Sequence, residues 1–263
     1  MRAEMDLQQI VDEHLRQERR QREESGEHVR QGWYASDLGQ CLAGVYRQRL
    51  EGPPQFDERR LRLFSVGNIF HQWLVERVRA SGYEMLAEER LESPEYHFSG
   101  RADLLVKDEE RTILYEIKTM HSQGFWYRQR SGGLALPHHE LQLTSYMWLL
   151  RDRYPGLEAR LCYVSKDDLA VLTAPVPFRE ATLAEVKRQL TVLNHAWESM
   201  LPPEPAAAVV YDQEAGRWTV NWQAKYCPSH DRCAGDPDWL GKAEKKVKEL
   251  NYKSKGKEER SCP

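Results

Sequence analysis

The sequence predicts an α/β fold in which a central mixed sheet is flanked by helices. Between Tyr83 and Met120 the apolar period falls to two in three consecutive runs, the spacing of strands. Stretches with helical periodicity stand before and after them. The resulting order of helix, three strands, helix, two strands and helix fits a sheet covered by helices. A chain of 263 residues, 40% apolar and 10% aromatic, is long enough to build a real core beneath it.

Taken in order, residues 6–24 (DLQQIVDEHLRQERRQREE) are polar with a thin stripe of Leu7, Ile10, Val11 and Leu15, which predicts an exposed, charged helix. Ser36 suits the cap of a helix running to Leu50 that contains Cys41. After Gly52-Pro53-Pro54 a longer helix is expected from Glu58 to Ala80, with Gly82 just past its end. YEMLAEERLE, HFSGRADLLVKD and RTILYEIKTM follow as strands, and Pro137 introduces the helical stretch HHELQLTSYMWLLRDRY. ARLCYVS and LAVLTAPVPF read as two further strands, and Thr182 to Met200 as a helix. LPPEPAAA reads as a linker or loop. Lys242 to Arg260 carries eight basic residues against four acidic ones and reads as a short helix with a frayed tail. Three segments result: 1–57, helical and bearing Cys41; 58–200, the core; and 201–263, cysteine-bearing and basic.

Basic and acidic side chains nearly cancel, 38 against 41, so a nucleic-acid partner would need a local patch rather than a global field. No stretch approaches the roughly 20 apolar residues of a membrane span, and no apolar signal core follows Met1, so a soluble cytoplasmic protein is expected. Five cysteines is an odd number, with Cys227 and Cys233 close together, which favours free thiols or metal ligation over a disulfide framework.

Residues 113–119, ILYEIKT, place Glu116 and Lys118 on one face of an otherwise apolar strand. Two further Glu-x-Lys triplets, at 185–187 and 244–246, lie in exposed helical contexts where solvated charge is the simple reading. Asp103 interrupts the strand before. If the two strands form a hairpin turning at Glu109-Glu110, positions summing to 219 face each other and Asp103 meets Glu116. Facing carboxylates repel unless a cation lies between them. With a backbone carbonyl such as that of Ile117, they form the oxygen set that Mg²⁺ or Mn²⁺ prefers. The alternate face, Ala102, Leu104, Val106, Tyr115 and Ile117, supplies the core. Gly67 and His71 share a helix face, and the glycine is expected to let the helix approach the sheet and bring the imidazole to that metal. Gln142 and Tyr146 repeat the i, i+4 spacing on the later helix.

GNIFH, GRAD, EIK and QLTSY, in that order, resemble the RecB-like branch of the PD-(D/E)XK nuclease superfamily. The resemblance spans about Phe64 to Tyr146 and implies a restriction-endonuclease-like core. It also implies roles: His71, Asp103 and Glu116 at a Mg²⁺ or Mn²⁺ ion, Lys118 orienting or activating the attacking water, Gln142 and Tyr146 supporting the site or touching DNA. The implied function is a metal-dependent DNA nuclease, an exonuclease working on ends or single strands in CRISPR adaptation, phage recombination or repair. A non-hydrolytic nucleic-acid-binding or assembly module on the same fold is the alternative, although it would have little reason to keep Asp103, Glu116 and Lys118 together. Arg101 and the basic tail are candidate phosphate contacts.

The chain ends extend the resemblance to the iron-sulfur members of that branch, the CRISPR-associated spacer-acquisition nucleases and their phage relatives. These place one cysteine before the nuclease motifs and three after. Cys41, Cys227 and Cys233 match, but Ala224 stands where a further ligand is implied, and alanine cannot bind iron. Either Cys262 completes a 4Fe-4S set, or the cluster is incomplete or replaced by another metal, or the site is a packed relic. Ordering Cys262, the penultimate residue of a charged tail, costs entropy and weighs against an intact cluster. Cys162, in RLCYVS, reads as a buried strand residue.

Overall fold

The computed structural model describes residues 6–25, 31–52, 56–108, 111–132, 135–213 and 215–258. Along the chain run α1 (Leu7–Glu24), β1 (Trp33–Tyr34), α2 (Leu42–Glu51), α3 (Glu58–Ala80), β2 (Glu84–Ser93), β3 (Phe98–Asp108), β4 (Arg111–Met120), α4 (Ser122–Arg130) and α5 (Pro137–Leu150). Then come β5 (Glu158–Ser165), β6 (Val171–Pro175), α6 (Glu180–Ser199), β7 (Val209–Asp212), β8 (Arg217–Val220), α7 (Trp222–Lys225), α8 (His230–Ala234) and α9 (Trp239–Glu258). The chain forms two compact units: Met1–Leu38 with Pro53–Leu190, and Gly39–Gly52 with Thr191–Pro263.

The first unit is built on a mixed sheet in the order β1-β3-β4-β5-β6, with β2 also paired to β3. β2 and β4 run antiparallel to β3, β5 runs parallel to β4, and β6 closes the sheet antiparallel to β5. The β3 and β4 register sums to 219 as expected, from Asp108 opposite Arg111 to Leu104 opposite Tyr115. The turn expected at Glu109-Glu110 lies outside the described residues. Beyond Leu104 the regular β3 to β4 pairing stops, and that parting of the strands positions the site described below.

Helix α3 has the bounds the sequence predicts, because both ends are specified. Asp57 caps it by accepting the Arg60 N–H at 2.8 Å, and Gly82 takes φ +84 just beyond its last turn. Phe70, Leu74, Val75 and Val78 share one face, by the 3.6-residue period, and pack against Leu104, Val106, Tyr115, Ile117, Cys162 and Val164 on the sheet. Fully burying an apolar side chain such as Leu104 or Ile117 stabilises the unit by about 1.5–3 kcal/mol, and the partly buried Phe70, Leu74 and Val78 contribute less. Cys162 is 3% exposed, a core residue as expected. Helix α1 keeps Leu7, Ile10 and Val11 exposed and meets α3 through ion pairs, Arg62 with Asp12 and Arg16 with Glu58 at 3.5 Å.

Ser36 does not cap a long helix. Ala35–Asp37 form a single 3-10 turn, where Asp37 Oδ2 accepts the Tyr34 N–H at 2.8 Å. Gly39 then takes φ +77, which ends the turn, and α2 starts at Leu42 with Cys41 as its N-cap residue rather than within the helix. Helix α5 takes Pro137 into its first turn and stops at Leu150.

In the second unit, α2 and the end of α6 accompany residues 201–208, which carry no regular structure, and the β7-β8 hairpin. Asn251 ties α9 to β8 by accepting the Trp218 N–H at 2.8 Å and donating to its carbonyl at 3.0 Å. Helix α9 is therefore a full packed helix where the sequence suggested a short one. Cys262 lies outside the described residues. Among the described residues no helix is long and apolar enough to cross a membrane.

Candidate active site

Where β4 parts from β3, the Asp103 carboxylate enters the gap. Its Oδ2 accepts the Ile117 N–H at 2.7 Å, taking over the bond that a continuing strand would have supplied. On the next residue back, Glu116 is only 2% exposed. Its Oε1 accepts from Lys118 Nζ at 2.7 Å, while Oε2 is buried with no hydrogen-bond partner. Burial, the largest influence, drives the Glu116 carboxyl up to about 7; Lys118 opposes this and Asp103 adds to it. Burial pulls Lys118 down, yet the Glu116 and Asp103 carboxylates outweigh it and hold the ammonium above the ordinary lysine value. Ile117 itself is buried among Val75, Leu104, Cys162 and Val164.

The i, i+4 pair on α5 completes a chain of hydrogen bonds. Lys118 Nζ also donates to Gln142 Oε1 at 3.0 Å, and Gln142 Nε2 donates to Tyr146 Oη at 3.1 Å. Burial raises the Tyr146 phenol first of all, so it stays protonated. Gly100 makes room for this ring: a Cβ there would meet Tyr146 Cε1 at 2.4 Å and Ala35 Cβ at 3.0 Å. The close approach expected at Gly67 is not observed, since a Cβ there would find only Thr119 Oγ1, at 4.0 Å. The glycine that packing requires is the one in GRAD.

His71 reaches the same gap from α3. Its Nε2 lies 3.4 Å from Asp103 Oδ1, an ion-pair contact without a well-formed hydrogen bond, and its Nδ1 lies 3.8 Å from Glu88 Oε1. Asp103 holds the imidazole above its usual value, against the opposing effect of burial. The sequence reading missed Glu88. It lies in β2 with φ +58, the left-handed region disfavoured by a side-chain-bearing residue, and its Oε2 pairs with Arg101 Nη1 at 2.7 Å. His138 and His139 at the start of α5 were also missed. Burial lowers both and Lys118 lowers them further, His139 to about 2, so both are neutral beside that ammonium. The sequence signal for them was the His-His pair directly after Pro137.

The structure thus brings His71, Asp103, Glu116, Ile117, Lys118, Gln142 and Tyr146 into one connected set. Among the described residues no three His, Cys, Asp or Glu side chains form a ready-made cage for a metal ion. The donors nevertheless suit one chemically: two carboxylates and an imidazole, with Glu116 Oε2 and His71 Nε2 both buried and without hydrogen-bond partners.

The cysteines lie in the second unit. The Cys41 and Cys227 thiols are hydrogen-bonded to each other, and Cys233 Sγ accepts from Arg47 Nε at 3.1 Å. Ala224 is completely buried. With Cys41 paired to Cys227, Cys233 bonded to Arg47 and a packed alanine at the further position, the described residues do not fit a four-thiolate cluster.

The sequence model of a family described as the PD-(D/E)XK nuclease superfamily matches residues 3–234. A CRISPR-associated exonuclease Cas4 from Saccharolobus solfataricus is 27% identical over 168 residues, covering 62% of this chain and 67% of that protein. Among solved structures, SSO0001 has a TM-score of 0.50 at 21% identity and covers 86% of this chain and 94% of that one. An alkaline exonuclease, LHK-Exo, from Laribacter hongkongensis has a TM-score of 0.47 at 16% identity, covering 66% of this chain and 91% of that one.

Proposed function

The chain belongs to the PD-(D/E)XK nuclease superfamily, and from that premise we propose that it is a divalent-metal-dependent DNA exonuclease acting on ends or single strands. The observation that carries the metal site is Glu116, a fully buried carboxylate with one oxygen unpartnered, beside Asp103 and His71. In this reading His71, Asp103, Glu116 and the Ile117 carbonyl hold Mg²⁺ or Mn²⁺. Such an ion lowers the pKa of a water nucleophile and stabilises the charge that develops as a phosphodiester is attacked.

The protein groups divide the remaining work. Asp103, fixed by the Ile117 amide, is held at one orientation before any ligand arrives. Lys118 is a cation at neutral pH, so it donates hydrogen bonds and does not take up a proton. Two of its N–H groups go to Glu116 and Gln142, and the third is directed to the attacking oxygen or a phosphate oxygen. Gln142 and Tyr146 fix the lysine rather than touch the reacting atoms. Arg101, paired with Glu88 in the free protein, is a candidate phosphate contact. The CRISPR-associated exonuclease among the relatives supports a CRISPR-linked role for the same nuclease activity.

The test is degradation of linear DNA against covalently closed circles, in Mg²⁺ or Mn²⁺ and in chelator. An exonuclease consumes the linear strand alone and only with metal. Equal attack on circles would make the protein an endonuclease, and cleavage in chelator would remove the metal from the mechanism.

A further inference from the structure

We propose that the outward face of α4 is a stacking surface that receives single-stranded DNA at the active site, with Trp126 and Tyr127 against neighbouring bases and Arg128 and Arg130 against their phosphates. This role rests on the nuclease reading and names the form of DNA that the site takes. Helix α4 reads SQGFWYRQR, with two arginines and no acidic residue, and only Phe125 is buried in it. Trp126 is 47% exposed and Tyr127 63%, so two large rings stand side by side in solvent. An exposed aromatic pair of this kind marks a surface that meets a partner.

By the 3.6-residue period Gln123, Trp126, Tyr127 and Arg130 share one face, at i, i+3, i+4 and i+7, and all four are exposed. That is the spacing with which a helix ordinarily meets its own core, here turned to solvent. Both ends of the helix are held. At its start Asp167 Oδ2 accepts the Ser122 N–H at 2.9 Å. At its end the Ser131 hydroxyl is shared between the carbonyls of Tyr127 and Arg128, at 3.0 and 3.1 Å, before Gly132 turns the chain at φ +78. The rings therefore stand on a braced backbone, which lowers the cost of ordering them on a ligand.

The same helix adjoins the active site. Its first residue, Ser122, follows Lys118 closely in the chain, and α4 packs against β5, the strand that pairs with β4. Burial is the first influence on His138, His139 and Tyr163, and the charges of Lys118 and Arg128 both act on all three, which places Arg128 close to the groups around Lys118. Arginines in a last turn also suit the helix dipole, but the dipole gives no reason for exposed rings beside them. Rings interleaved with arginines are the recognition set of single-stranded nucleic acid, whose unpaired bases offer their faces to the rings while guanidinium groups take the phosphates. In a duplex those faces are covered by neighbouring base pairs, so the surface selects the single strand. Positive charge without any acidic side chain on the helix favours a polyanion over a protein face of mixed charge.

Fluorescence anisotropy of a dye-labelled oligothymidylate with the full chain, in chelator, reads binding without cleavage. Trp126→Ala and Tyr127→Ala should each weaken binding of the single strand by at least about fivefold, the worth of one stacked base, and leave a hairpin-capped duplex little changed. Trp126→Phe keeps a ring and should retain most of the affinity. An abasic strand of the same length carries the same phosphates; the parent should bind it more weakly than the oligothymidylate, and Trp126→Ala should narrow that gap. Arg130→Gln should lower the slope of log affinity against log salt by about 0.7. Thermal unfolding should not move in these variants, because the side chains are exposed. Parental affinity for the single strand in both alanine variants would overturn the proposal and leave the face to a protein partner. Equal weakening on the single strand and the duplex, or on the thymidylate and the abasic strand, would overturn it as well. The nuclease reading fails separately, if the parent cleaves no DNA with metal whatever its affinity for the strand.

Discussion

Glu116→Gln isolates the cost of the buried carboxylate. In the unfolded chain this group titrates at its ordinary 4.5, and in the folded protein at about 7. Its folded value is raised, so the folded state holds the proton more tightly. Below pH 4.5 both states are protonated and the ionisation costs nothing. As the pH climbs from 4.5 to about 7 the unfolded chain has released the proton and the folded protein has not, so stability falls. At about 1.4 kcal/mol per pH unit, the loss reaches about 3 kcal/mol above neutrality. Glutamine has no proton to release. The stability difference between Glu116→Gln and the parent should therefore shift by about 3 kcal/mol in favour of the variant between roughly pH 4.5 and pH 8. Titrating groups away from the site cancel in that difference, whereas His71 and Lys118, both raised in part by the Glu116 carboxylate, add a smaller contribution of their own. Urea unfolding in chelator across this range measures it, and saturating Mn²⁺ should reverse the trend for the parent alone, because a metal favours the ionised carboxylate. A difference that stays flat with pH would refute the buried, metal-seeking carboxylate.

Gly100→Ala should destabilise the protein by about 1–3 kcal/mol, as overpacking does, because its Cβ would lie 2.4 Å from Tyr146 Cε1; thermal unfolding reads this, and Gly67→Ala, which meets only Thr119 Oγ1 at 4.0 Å, should not clash. Lys118→Ala removes the donor shared by Glu116 and Gln142. Single-turnover kinetics should show a lower cleavage rate with a smaller change in Mn²⁺ affinity, and an equal loss of both would show that the lysine serves metal binding rather than the reaction.

Much of the site was legible because its spacing is local. The i, i+4 pair Gln142 and Tyr146 follows from helical periodicity alone, and the β3 to β4 register followed from a short hairpin. What escaped depended on contacts distant in sequence or on backbone that carries no periodic signal. Glu88 sits in a strand of ordinary alternation, and nothing local announces its positive φ. Which glycine relieves a clash is decided by the ring of Tyr146, far along the chain from Gly100, so a helical Gly67 beside a histidine was the misleading choice. Helix α4 buries only Phe125, too thin a stripe to register. The β7-β8 hairpin consists of two four-residue strands that are mostly half-buried, and the start of α2 was displaced by the left-handed Gly39.

The most direct test of the central claim is cleavage of end-labelled linear DNA in Mn²⁺ by Asp103→Asn. The amide keeps an oxygen to accept the Ile117 N–H, now at 2.7 Å, so the fold is retained while the charge that would hold the metal is removed. Cleavage should fall to the level seen in chelator, with unfolding little changed; Asp103→Asn protein that still degrades DNA at the parental rate would contradict the account.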